Sequence, residues 1–96
     1  MKDPKDVEAF YKRLRDELEE STSWPSPYLY KFIVPTDADK VAAIEKNFDN
    51  TGAVIQKKTS SGGKYTSVSI EVNMASPEAV IEKYKAISTI EGVISL

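Results

Sequence analysis

The chain has 96 residues, 41% of them apolar and 29% charged, which is enough apolar surface for one folded domain and too much for a disordered segment. It contains neither cysteine nor histidine, so disulfides, thiol nucleophiles, imidazole bases and the usual zinc sites are all excluded. The net charge of −2 sits entirely in residues 1–20, and the balanced remainder has no general attraction for phosphate backbones or anionic lipid.

The opening residues Met1 to Asp6 are polar with no apolar signal region behind them, and no run approaches the roughly 20 apolar residues of a membrane span. The expectation is an unexported, cytoplasmic protein with no membrane partner. Asp3 predicts an N-cap and Pro4 a first helical position, after which Val7, Phe10, Tyr11, Leu14 and Leu18 recur at helical spacing. The opposite face is charged, with Glu8–Lys12, Arg13–Glu17 and Arg15–Glu19 four apart. This amphipathic helix and its linker form a leading unit, residues 1–22.

Trp24-Pro25-Ser26-Pro27 breaks any helix and leads into Tyr28 to Val34, aromatic and β-branched, a strand with Tyr30, Phe32 and Val34 inward and Lys31 outward. Thr36 is the expected cap of a helix running to about Phe48, buried through Val41, Ile44 and Phe48. Ala53 to Lys58 reads as a second strand and Tyr65 to Asn73 as a third, joined by Ser60-Ser61-Gly62-Gly63 in an antiparallel hairpin. Thr66, Val68, Ile70 and Val72 alternate inward. Ser76 and Pro77 open a further helix with Val80, Ile81, Tyr84 and Ile87 on its apolar side, and Val93 to Leu96 is a last short strand.

From residue 23 to 96 the order is therefore βαββαβ. This is the α+β, ferredoxin-like two-layer sandwich, in which two helices cover one face of a four-stranded antiparallel sheet and leave the other open.

Two segments carry a likeness to a known family. Trp24-Pro25-Ser26-Pro27-Tyr28-Leu29-Tyr30-Lys31 resembles the entry to the first strand of the YbeD-like bacterial proteins. Ser60-Ser61-Gly62-Gly63-Lys64-Tyr65-Thr66-Ser67-Val68-Ser69-Ile70 resembles their hairpin, and the likeness runs on through Tyr84 and Ile90 over roughly residues 23–96. The resemblance implies a ferredoxin-like fold close to ACT regulatory domains, with no established activity, and does not extend to the leading helix. ACT ligand sites usually place a glycine where the first strand meets the first helix. Here that junction is Val34-Pro35-Thr36-Asp37, where Pro35 has no N–H to offer.

No catalytic residue, cofactor site or metal site emerges. Glu71 is the one acid expected on the open sheet face, where solvation or pairing with a lysine such as Lys31 accounts for it. The hairpin is too short for a phosphate-binding P-loop and joins two strands, so it reads as a turn needing positive φ at Gly62 or Gly63. A small-ligand or partner contact there would draw on Ser61, Gly62, Lys64 and Tyr65, with Lys31 nearby. RNA-recognition motifs share this topology, but the expected open face of Leu29, Lys31, Ile33, Tyr65, Ser67, Ser69 and Glu71 has one ring for stacking and no basic stripe. No nucleic acid partner is expected.

What remains points to protein contact. Val7, Phe10, Leu14 and Leu18 need something to lie against, either the chain's own open face or a second copy, and Leu29 and Ile33 sit where neither internal helix covers them. The reading is a non-enzymatic interaction or regulatory module, as a homodimer or with another protein. The alternative is an ACT-like sensor of a small metabolite such as an amino acid.

Overall fold

The structure is a computed structural model that describes residues 4–95. The expected cap Asp3 and the last residue of the expected final strand, Leu96, lie outside the described residues. The elements run α1 Pro4–Ser21, β1 Ser26–Pro35, α2 Ala38–Lys46, β2 Val54–Thr59, β3 Tyr65–Met74, α3 Pro77–Ile87 and β4 Ile94–Ser95. The strands form one antiparallel sheet in the order β2-β3-β1-β4. After α1 this is the ferredoxin-like sandwich.

Alternation along β1 and β3 builds the core. The long central pair is in register from Ser26 opposite Met74 to Pro35 opposite Tyr65. Tyr30, Phe32 and Val34 therefore meet Ile70, Val68 and Thr66 on the same side, and all six are buried. Ile44 of α2 and Val80 and Ile87 of α3 close over them with no exposure. Tyr30 stacks on Phe32 with ring centroids 5.7 Å apart, and Tyr84 meets Tyr30 edge-on at 5.0 Å.

Two local expectations about α2 are corrected. The cap of α2 is Asp37, whose carboxylate accepts from the N–H groups of Asp39 and Lys40. Thr36 is already committed elsewhere: its N–H donates to the Lys64 carbonyl and its hydroxyl pairs with that of Thr66. The helix stops at Lys46, and Phe48 reaches the core from the turn that follows. The hairpin turn has the positive φ expected at Gly62 or Gly63, and it falls on Gly63, at 74°.

The leading helix does not lie over the open sheet face. It joins the helix layer as a third member, antiparallel to α3. Arg15 reaches Glu78 at 3.8 Å, the Lys85 ammonium sits over the Tyr11 ring, and the Trp24 indole N–H donates to the Leu18 carbonyl at 3.1 Å. Leu18 packs on the core, Tyr11 and Leu14 are half-buried, and Val7 and Phe10 are exposed. Among the described residues only Arg15–Glu19 of the three expected four-apart pairs comes within ion-pair distance, at 3.7 Å.

Candidate functional site

The sheet face turned away from the helices is the largest feature without an internal role. Its composition follows from register. Val54, Glu71 and Leu29 stand side by side across β2, β3 and β1; Gln56, Ser69 and Lys31 form the next row; Lys58, Ser67, Ile33 and Ile94 the third. Tyr65 and Pro35 close the end. Among the described residues six large apolar side chains are prominently exposed, and four of them, Leu29, Val54, Tyr65 and Ile94, are on this face. Ile33 beside Ile94 is half-buried. Two apolar patches thus flank a polar central row.

The candidates from the sequence fall into separate places. Leu29 and Ile33 are on the outer face as expected, whereas Val7, Phe10, Leu14 and Leu18 belong to α1 in the opposite layer. Val54, Gln56, Lys58 and Ile94 had not been assigned to the outer face. Alternation would have placed the β2 residues once the hairpin register was known, but the loop length alone leaves that register open by one residue, and one residue reverses the faces.

Lys31 lies in the central row opposite Ser69, four strand positions from Pro35 and its neighbour Tyr65. Ser61, Gly62 and Lys64 are at the exposed hairpin tip, so these five residues do not converge. The tip holds itself together. The Gly63 N–H donates to the Ser60 carbonyl, and the Ser60 N–H to the Tyr65 carbonyl, each at 2.8 Å, while the Tyr65 N–H donates to the Ser60 hydroxyl. Glu71 is exposed between Val54 and Leu29. Among the described residues no ion pair joins it to a lysine; the strand lysine that does pair is Lys57, with Glu45 on the helix side at 3.1 Å. No three metal-ligating side chains gather among the described residues.

At the β1–α2 junction Thr36 and Asp37 are exposed, and Pro35 is packed against the turn that precedes β4. Gly92, with φ of 81°, brings its backbone so near Pro35 that a Cβ there would stand 2.9 Å from the ring Cγ. Only a glycine fits.

A second concavity lies beyond Ser95, between α1 and the sheet. Phe10, Tyr11 and Leu14 face Tyr28 and Tyr84 across it. The Tyr28 and Tyr84 hydroxyls share a hydrogen bond of 2.8 Å, and the Tyr30 hydroxyl donates to the Val80 carbonyl at 3.0 Å. Burial, with the hydrogen bond to Tyr28 and then its charge adding to it, pushes the Tyr84 phenol well above the usual tyrosine range; burial, with Tyr28 second, does the same to Tyr30. These are protonated hydroxyls in a packed network, not poised bases.

Comparison with known proteins agrees with the motifs of the first strand and the hairpin. The model of the family described as protein of unknown function DUF493 matches residues 19–96. The chain belongs to the DUF493 family. A UPF0250 protein of Shewanella halifaxensis (strain HAW-EB4) is 30% identical over 83 residues, covering 83% of this chain and 94% of that protein. The YbeD-like resemblance is thereby shown. No solved structure matches the chain. The DUF493 match begins inside α1 and takes in the whole sheet, so the outer face lies wholly within the family's span. Among the described residues no helix is long and apolar enough to cross a membrane.

Proposed function

We propose that this DUF493 protein works without catalysis, as an interaction or regulatory module that docks a protein on the outer face of its sheet, a second copy of the chain being the first partner to test. The observation that carries the reading is the concentration of exposed apolar side chains there: Leu29, Val54, Tyr65 and Ile94, with Ile33 between the strands. A monomer leaves such a face to water at a cost, while docking removes it from water at about 25 cal/mol per Å². The polar row of Gln56, Ser69 and Lys31 supplies register instead of affinity. Isologous contact through one shared patch is the commonest way for such a surface to close.

Sedimentation velocity over a concentration series tests this on the full chain. Self-association abolished in the double variant Leu29→Glu, Ile94→Glu and retained in Val7→Glu is the expected result. Self-association that survives the double variant, or a chain that stays monomeric throughout, removes the second copy from this face.

A further inference from the structure

One carboxylate on the outer face restricts what can cover it. Glu71 stands in a row between Val54 and Leu29, so a partner that takes those two apolar side chains out of water takes the carboxylate with them. A carboxylate desolvated without a cation beside it loses more than two half-exposed apolar side chains gain. Lys31 makes the same demand with the opposite sign, because it is exposed between Leu29 and Ile33 along β1. The two are diagonal neighbours across β3 and β1, a relation that puts Cα atoms about 7–8 Å apart. Among the described residues neither is within ion-pair distance of the other or of any further charged group. Whatever covers this face must bring a cation to Glu71 and an anion to Lys31.

The face itself carries both charges. Consider a two-fold axis lying in the contact plane, midway between Glu71 and Lys31 and at right angles to the line joining them. It exchanges the two positions, so Glu71 of each copy meets Lys31 of the other. On the regular spacing of a sheet the same axis sets Leu29 against the second copy's Leu29, and Val54 against its Ile33. Charges and apolar side chains are thus matched by one operation. Lys58, the other lysine of the face, does not allow this. An axis midway between Glu71 and Lys58 carries Val54 past the β2 edge and lays Ile33 over Lys31. A partner of one charge sign, such as nucleic acid or a basic segment, leaves one of the two charges bare or opposed.

We propose, on the footing that the outer face docks a second copy, that two reciprocal Glu71–Lys31 pairs set the register of that dimer and its choice of partner. Leu29, Val54 and Ile33 supply the area removed from water. The two pairs admit a surface that offers the complement and reject one that opposes like charges, which is where interfacial charge acts most strongly.

The test is sedimentation velocity on two single variants of the full chain, each alone and then mixed. Glu71→Lys sets cation against cation at both contacts, and Lys31→Glu sets anion against anion. Each variant alone is expected to self-associate at least about tenfold more weakly than the wild type. In an equimolar mixture both pairs form again with their signs exchanged, and association is expected to return to within about threefold of the wild type. Pairing of Glu71 with Lys31 inside one chain gives no such recovery. A mixture no tighter than its components overturns the proposal, as does wild-type association retained by both variants alone. So does a variant that loses its urea transition, since its side chain is then engaged within the chain. A mixture of Glu71→Lys with Lys58→Glu that associates as tightly as the first mixture overturns the choice of Lys31. In all these cases Leu29→Glu, Ile94→Glu still reads the outer face by itself. A wild-type chain that stays monomeric at every concentration overturns the outer-face dimer itself, and the charge register with it.

Discussion

The two faces of the sheet are drawn from the same strands, one residue in each direction at a time, yet they have opposite fates. On the inner face Tyr30, Phe32, Val34, Val68 and Ile70 are wholly buried; on the outer face their immediate neighbours Leu29, Lys31, Glu71 and Tyr65 are exposed. The inner residues hold the fold, because each fully buried side chain of this size contributes about 1.5–3 kcal/mol and the packing leaves few alternatives. The outer apolar residues Leu29, Val54, Tyr65 and Ile94 are about half exposed and contribute far less to the fold. An apolar side chain that does little internal work is where a contact surface is to be sought, and the lesson is that β1 serves both purposes by periodicity alone.

The sharpest way to break this contrast is to truncate one residue from each face of the same strand. Phe32→Ala should cost about 3–5 kcal/mol, through lost transfer energy and the cavity left against Tyr30 and Tyr84. Leu29→Ala, three residues away and 53% exposed, should change stability by about 0.5 kcal/mol or less. Urea midpoints at constant m-value measure both. Comparable losses would mean that the outer face is covered in the free protein.

Much of this contrast was legible before any coordinates. The period of two in Tyr30-Lys31-Phe32-Ile33-Val34 and in Thr66 to Val72 assigned the inner residues correctly, because a half-buried strand has little freedom to do otherwise. Ser76 and Pro77 opened α3 as expected, since cap and φ-restricted proline act locally. Long-range features were not legible. The placement of α1 beside α3 depends on contacts such as Arg15–Glu78 and Trp24–Leu18 that no local pattern announces. The cap of α2 moved from Thr36 to Asp37 because Thr66, thirty residues on, takes up the threonine hydroxyl.

A middle-sized effect marks the limit of the contrast, where the outer face does carry structure. Gly92 and Gly63 both have φ near 80°, so either replacement by alanine costs about 1–2 kcal/mol in backbone strain. Around Gly63 a new Cβ meets open space, whereas at Gly92 it stands 2.9 and 3.0 Å from the Pro35 ring. Gly92→Ala should therefore lower the thermal midpoint by more than Gly63→Ala, and combining it with Pro35→Ala should recover part of the difference. Equal shifts from the two glycines would show that the α3–β4 turn moves freely past β1.

A smaller effect than the glycine replacements probes the inner face through its polar groups. Tyr84→Phe removes the hydrogen bond to Tyr28 and should cost about 0.5–1.5 kcal/mol at neutral pH. Its pH dependence is more telling. Burial holds the Tyr84 and Tyr30 phenols protonated above the value of about 10 that they take in the unfolded chain. Above that pH the unfolded state sheds protons that the folded state keeps, so stability is full below about pH 10 and falls as pH rises beyond it. Removing Tyr84 removes one of those protons from the balance. The variant should thus start slightly less stable at neutral pH and lose stability less steeply in alkali, so that its curve approaches the wild-type one as pH rises. Urea titrations at successive pH values read the slope directly, and an unchanged slope in Tyr84→Phe would place the Tyr84 hydroxyl in water.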